Sequence, residues 1–132
     1  MKILFLFLNV LFLSLNPVEK IYVRNFYPSK KLKAEGWMQF NKKQDYWFFY
    51  NENGFKKEEG HYENDKKVAW WIFYNSKNKI IKKSEYSNDK LNGFSIIYDN
   101  GEIIKAEKYN QGKKIKEWES IAEFKKDNTD LL

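Results

Sequence analysis

The chain contains no cysteine. That excludes disulfides, thiol nucleophiles, Cys-based zinc sites and a lipid anchor on an N-terminal cysteine. His61 is the only histidine, so a zinc site or a His-dependent catalytic dyad would lack its other members. Its place in a strand-like stretch reads as a surface position. Arg24 is the only arginine. Proteins that read bases or clamp phosphates depend on the planar, bidentate guanidinium, which lysine does not imitate, and nucleic acid is therefore not an expected partner. Glycine-rich phosphate loops are also missing. Neighbouring acids such as Glu58 and Glu59 point to opposite faces of a strand and do not make the paired carboxylates of glycoside hydrolysis. The catalytic inventory is empty. The chain reads as a non-enzymatic protein with no cofactor and no metal.

Long apolar runs are confined to the N-terminus. Lys2 is followed by Ile3 to Leu15, interrupted only by Asn9 and Ser14, and then by Asn16-Pro17. A positive start, a short apolar stretch and a helix-breaking exit match a secretory signal peptide. The run falls short of the ~20 residues a spanning helix needs. Small residues of the Ala-x-Ala kind are missing around Ser14, Leu15 and Asn16. Residues 1–18 are accordingly read as a signal peptide or an uncleaved membrane tether. The expected location is exported, whether periplasmic, envelope or secreted. The alternative is a cytoplasmic protein that keeps the run as structure.

What is plentiful is aromatic: 19% of the 132 residues, with eleven Phe, nine Tyr and five Trp. Such a chain folds, despite 32% charged residues, and it leans towards strands, because these rings sit well on pleated surfaces. The net charge is +6, carried by lysines spread along the chain and interleaved with glutamates, as in Lys56-Lys57-Glu58-Glu59. That pattern is the ordinary one for a solvated strand face. The functional alternative is a surface for anionic lipid or glycan.

The sequence repeats. Tyr50, Tyr74 and Tyr98 fall 24 residues apart, each followed by Asn or Asp. Phe40-Asn41, Tyr62-Glu63-Asn64, Tyr86-Ser87-Asn88 and Tyr109-Asn110 keep nearly the same spacing. Asn53-Gly54, Asn92-Gly93, Asn100-Gly101 and Gln111-Gly112 read as tight turns, since Asn and Gly accept the positive φ such turns demand. Between the turns lie strand-length runs of aromatics and Ile. The expected fold is all-β, an antiparallel meander of β-hairpin units in which each strand pairs with its sequence neighbour. Trp71 and Phe73 should point to one face, and Trp70, Ile72 and Tyr74 to the other. One sheet cannot hide so many rings, so a cover is expected. Trp118, Ile121, Ala122 and Phe124 within Glu117 to Lys126 suggest a short C-terminal helix capping the last open edge.

The stretch Glu59-Gly60-His61-Tyr62-Glu63-Asn64-Asp65-Lys66 resembles the opening of a MORN-type unit, and the later Trp or Phe, Tyr and Asn-Gly resemble its second half. The fit is best over Glu85 to Phe94 with Tyr98-Asp99-Asn100-Gly101. The bacterial MORN-repeat variants, often described as antitoxin-like, are nearest in pattern. Asp65 and Asp89 stand where that pattern has a turn glycine, and Ala69 replaces a later one. The resemblance implies about four units over 35–118, flanked by a capping segment at 19–34 and a cap and tail at 119–132. It implies a curved meander used for binding and does not name the ligand. Trp47, Tyr50, Tyr62, Trp71, Tyr74, Tyr86, Phe94, Tyr98 and Tyr109 are the expected core ladder, with Gly54, Gly93, Gly101 and Gly112 at turns. Trp70, opposite Trp71, is the candidate binding residue, or else lies beneath the cap. The expected function is protein binding or scaffolding at the cell envelope. The alternatives are an antitoxin-like cytoplasmic inhibitor of a toxin and a binder of anionic lipid or glycan.

Overall fold

A computed structural model describes residues 17–131. The signal-like stretch lies outside the described residues save for its last two. Nine strands form one antiparallel sheet in strict sequence order: β1 (Ile21–Phe26), β2 (Leu32–Gln39), β3 (Lys42–Tyr50), β4 (Lys56–Glu63), β5 (Lys66–Tyr74), β6 (Ile80–Ser87), β7 (Lys90–Asp99), β8 (Glu102–Asn110) and β9 (Lys113–Trp118). A short helix, α1 (Ile121–Asp127), follows. The sheet is an open meander, and β1 and β9 are its edges.

Two kinds of connection alternate along most of the chain. At one end of the sheet are two-residue turns with both residues at positive φ, namely Phe40-Asn41 (50°, 59°), Asn64-Asp65 (49°, 68°), Asn88-Asp89 (51°, 69°) and Gln111-Gly112 (50°, 86°). This is the geometry whose twist matches that of paired strands. Asp65 is fixed in its turn by two backbone bonds. Its Oδ1 accepts the Lys43 backbone N–H at 2.8 Å, and its own N–H donates to the Lys43 carbonyl at 3.0 Å. Asp89 makes the same pair of bonds with Lys67, at 2.8 and 3.1 Å. Each aspartate thus ties its turn to the hairpin before it. At the other end, Tyr27–Lys31, Asn51–Phe55 and Asn75–Lys79 form five-residue connections. Each is closed by a bond from the first N–H to the last carbonyl, at 2.8, 2.8 and 2.9 Å. Their fourth residues, Lys30, Gly54 and Asn78, take positive φ. Between β7 and β8 the longer loop is replaced by Asn100-Gly101.

Gly93, expected in a turn, sits inside β7 at φ 110°. It is one of three in-phase bulges. Register with the preceding strand jumps between Gly36 and Trp37, between Gly60 and His61, and between Ser84 and Tyr86. The later strand of each pair inserts two extra residues there: Asp45-Tyr46, Ala69-Trp70 and Gly93-Phe94. The first residue of each insertion takes positive φ, at 57°, 57° and 110°. A bulge re-aims the side chain that follows it, and that side chain is Tyr46, Trp70 or Phe94.

Each face carries its own aromatic ladder. On one, Trp47 (1% exposed) lies over Gly36 and Trp71 (0%) over Gly60. A Cβ on either glycine would overlap the indole. Phe49 stacks on Trp47 and tilts against Trp71, and Tyr62 and Tyr86 pack edge-on beside these rings, with centroids 5.0–6.4 Å apart. Lys43 and Lys67 lie across the Trp47 and Trp71 rings at 5.6 and 3.9 Å. One period later the pair is Ser95 over Ser84, with hydroxyls 2.6 Å apart and buried. Tyr50, Tyr74 and Tyr98 belong to the opposite face, with Tyr46, Phe48, Trp70, Ile72, Phe94 and Ile96.

The C-terminal helix starts later than the sequence suggests, because Trp118 ends β9. Ser120 caps α1 by accepting the Glu123 N–H at 3.2 Å. The helix folds back over β8 and β9 and puts Phe124 on Phe94 and Trp118, with centroids 5.5 and 5.2 Å apart. Among the described residues, no helix is long and apolar enough to cross a membrane.

Two residues hold positive φ without the chemistry that eases it. Phe40 is 66% exposed at φ 50°, where the in-phase turns have Asn64 and Asn88. Ala69 is exposed at φ 57°, where β7 has Gly93. The left-handed region costs a side chain bearing a Cβ roughly 1–2 kcal/mol. Phe40→Asn and Ala69→Gly should each stabilise by about 0.5–1 kcal/mol, a rise of a few degrees in Tm by calorimetry. An unchanged or lower Tm in both would contradict the strain. Gly60→Ala should cost at least about 2 kcal/mol by forcing the Trp71 indole aside. Ser84→Ala, which breaks only a hydroxyl pair, should cost about 1 kcal/mol, and denaturant titration separates the two.

Candidate functional site

The face opposite the buried indoles is the one the chain leaves partly open. Alternate strands, β3, β5 and β7, bring to it the groups Tyr46/Phe48/Tyr50, Trp70/Ile72/Tyr74 and Phe94/Ile96/Tyr98, each 24 residues from the last. Cross-strand register sets Glu59 between Phe48 and Ile72, and Lys83 between Ile72 and Ile96.

The three bulge aromatics meet different fates. Tyr46 packs against His61 and Phe48, with centroids 4.8 and 5.0 Å apart, and its hydroxyl donates to Glu59 at 3.1 Å. Phe94 lies beneath α1. Trp70 has neither cover, and 42% of it is exposed. It lines a shallow groove with Ile72, Lys83, Ile96 and Tyr98. The expected cap reaches β8 and β9 and stops short of Trp70. Tyr22 and Trp37, stacked edge-on at 5.2 Å, extend the exposed aromatic surface towards β1.

Electrostatically the face is a row of phenols held by acids. Glu59, 7% exposed, is neutralised by Lys56 at 2.6 Å. Glu35 accepts from the Tyr50 hydroxyl at 2.9 Å and pairs with Arg24 at 3.1 Å. Burial, reinforced by Glu59, pushes the Tyr46 phenol up to about 12. Burial and the Glu35 hydrogen bond do the same for Tyr50. Across the sheet, burial and the nearby Glu58 charge raise Tyr62 to about 12. Tyr74 is raised by burial and Glu59. The Tyr46 and Tyr50 phenols donate to carboxylates and hold them in place.

The remaining sequence candidates fall away from the groove. Trp47, Trp71, Tyr62 and Tyr86 belong to the other face. Tyr109 lies near the β9 edge, where its hydroxyl donates to Glu107 at 2.7 Å. Gly54, Gly101 and Gly112 occupy connections. His61 is exposed, and its carbonyl accepts the Trp71 indole N–H at 3.0 Å. Among the described residues no three His, Cys, Asp or Glu side chains converge as a metal site would require. Sequence reading did not assign Lys83 or Ile96 to the site. Their signal was the cross-strand register, which only the bulges settle. No protein-family model matches the chain, and the search of curated proteins returns no match.

The raised phenols set an alkaline limit. Below pH 10 they are protonated whether the chain is folded or not, and their contribution is fully present. As pH climbs from about 10 towards about 12, the unfolded chain releases protons first and folding stability falls. Denaturant midpoints measured across that window should drop steadily, alongside delayed phenolate absorbance. A flat midpoint with phenolates appearing at the ordinary pH would refute the assignment.

Proposed function

We propose that this chain is a non-enzymatic binding module of the MORN-like kind, exported to the cell envelope or beyond, whose open aromatic face docks a protein partner. The observation that carries this reading is Trp70. A bulge aims it outward, and its in-phase counterparts Tyr46 and Phe94 are packed or covered. A half-exposed Trp in an apolar groove is the typical anchor of a protein interface. Export is supported by the apolar run Ile3 to Leu15 after Lys2.

The test uses C-terminally tagged full-length protein in its source cells. A protein that co-purifies with the wild type should fall by about tenfold or more with Trp70→Ala, the loss expected of an anchoring Trp, while the circular dichroism of the variant stays unchanged. Equal recovery from both would remove Trp70 from any interface. Intact mass on the same material should show loss of roughly the first 16–20 residues, the range of short signal peptides. Full-length protein in the soluble cytoplasm would instead favour the toxin-inhibitor reading.

A further inference from the structure

The open groove continues a surface on which the chain already seats a helix. α1 rests Phe124 and Ile121 on Phe94, Ile96, Ala106 and Trp118. Ile96 also lines the groove with Trp70, Ile72, Lys83 and Tyr98, so the covered and open areas share a side chain. Trp70 and Ile72 stand 24 residues before Phe94 and Ile96, on β5, two strands from β7. α1 itself rests over β8 and β9, three to four strands from β5, or about 14–19 Å. A helix resting on Trp70 and Ile72 would therefore have room beside α1, on the same kinds of side chain.

Charge narrows the occupant. Lys83, between Ile72 and Ile96, holds its ammonium 5.6 Å from the Tyr98 ring, and Lys108 lies 5.3 Å from the Phe94 ring. Neither forms an ion pair among the described residues, whereas Glu59, the acid in the same row, is matched by Lys56. Burial raises the carboxyl of Glu85, paired with Trp70 across the strands, and the Phe94 backbone and the Lys108 charge partly offset that rise. Lys83 thus holds an unmatched positive charge in the apolar groove, with Lys108, which also acts on Glu85, beyond it. A second copy of this chain fits poorly. It carries the same +6 charge, and α1, the one α-helix among the described residues, already buries its Phe124 at home.

We propose that the Trp70–Ile72 groove receives an amphipathic helix from a protein partner. Its apolar residues, three and four apart, rest on Trp70 and Ile72, and its Asp or Glu residues beside that stripe face Lys83 and Lys108. This rests on the reading of the Trp70 face as a protein-binding surface and adds the shape and charge of what binds.

The experiment places a photoreactive side chain in the groove of the full-length protein, as Ile72→p-benzoylphenylalanine, irradiates source cells and maps the adducts by mass spectrometry. Adducts should fall on one partner segment, at residues three or four apart, with acidic residues adjacent. A synthetic peptide of that segment should gain helical circular dichroism on mixing with the wild-type protein. It should bind Trp70→Ala about tenfold more weakly and Lys83→Glu about threefold more weakly. Adducts at alternating residues of an extended segment, or on a second copy of this chain, would overturn the helix while leaving a protein-binding face. Absence of any protein adduct would overturn both readings.

Discussion

The fold depends on a side chain that is missing. A single-layer sheet has no second layer to pack against, so its rings must be buried by the sheet itself. At Gly36 and Gly60 the strand presents bare backbone, and the indoles of Trp47 and Trp71 lie down on it. The bulges make this possible and are repaired by it. The register jump leaves the carbonyls of Trp37 and His61 beside each indole, and the indole N–H groups donate to them at 2.9 and 3.0 Å. Ring burial, glycine and bulge are thus one device, which also satisfies backbone groups that buried irregular structure would leave unpaired.

The third instance shows that the parts change together. Where Trp71 and Gly60 recur 24 residues later, the chain has Ser95 and Ser84. A large side chain over none becomes two small ones that bond to each other. Lys43 and Lys67, which cover the indoles, are followed in phase by Leu91, since no ring remains for an ammonium to cover. The apolar mass moves to the other face, where Phe94, Trp118 and Phe124 form the cluster beneath α1. The sheet thus buries its rings on one face near β3–β5 and on the opposite face near β7–β9. The outward face of β5, with Trp70, lies where neither arrangement provides cover.

Much of this was legible before any coordinates. The 24-residue period, the neighbour pairing and the opposition of Trp70 to Trp71 all follow from spacing and strand alternation. The bulges did not. Their signal is a residue at positive φ, and Asp45 and Ala69 do not announce one. Gly93 did, but beside Asn92 it mimics a hairpin turn, and only the true turn at Asn88-Asp89 shows that β7 runs on through it. Trp118, Ile121 and Phe124 have helical spacing, which by itself assigns Trp118 to the helix. Pairing of Trp118 with Ala106 keeps it in the sheet, and Ser120 starts the helix two residues on. Lys83 looked like one more solvated lysine until register set it between two isoleucines.

A meander of this kind has no intrinsic end, because each hairpin leaves an edge that could accept another strand. The two edges are treated differently. β9 carries exposed Lys113, Lys114 and Lys116, a density of one charge sign that discourages a further strand. The chain then turns away through Ser120 into α1, whose Asp127 accepts from the Trp118 indole at 2.9 Å and pairs with Lys116 at 2.7 Å. That edge is closed by charge and by the helix together. β1 has Arg24 as its single charged residue, with Ile21, Tyr22 and Phe26 exposed. It is also the strand that joins the sheet to the apolar N-terminal run. Among the described residues, the termination built into the C-terminal edge therefore has no counterpart at the N-terminal one. Among the described residues, what opposes growth from the β1 side is Arg24 and the bulge between Asn25 and Phe26 that breaks the pairing register.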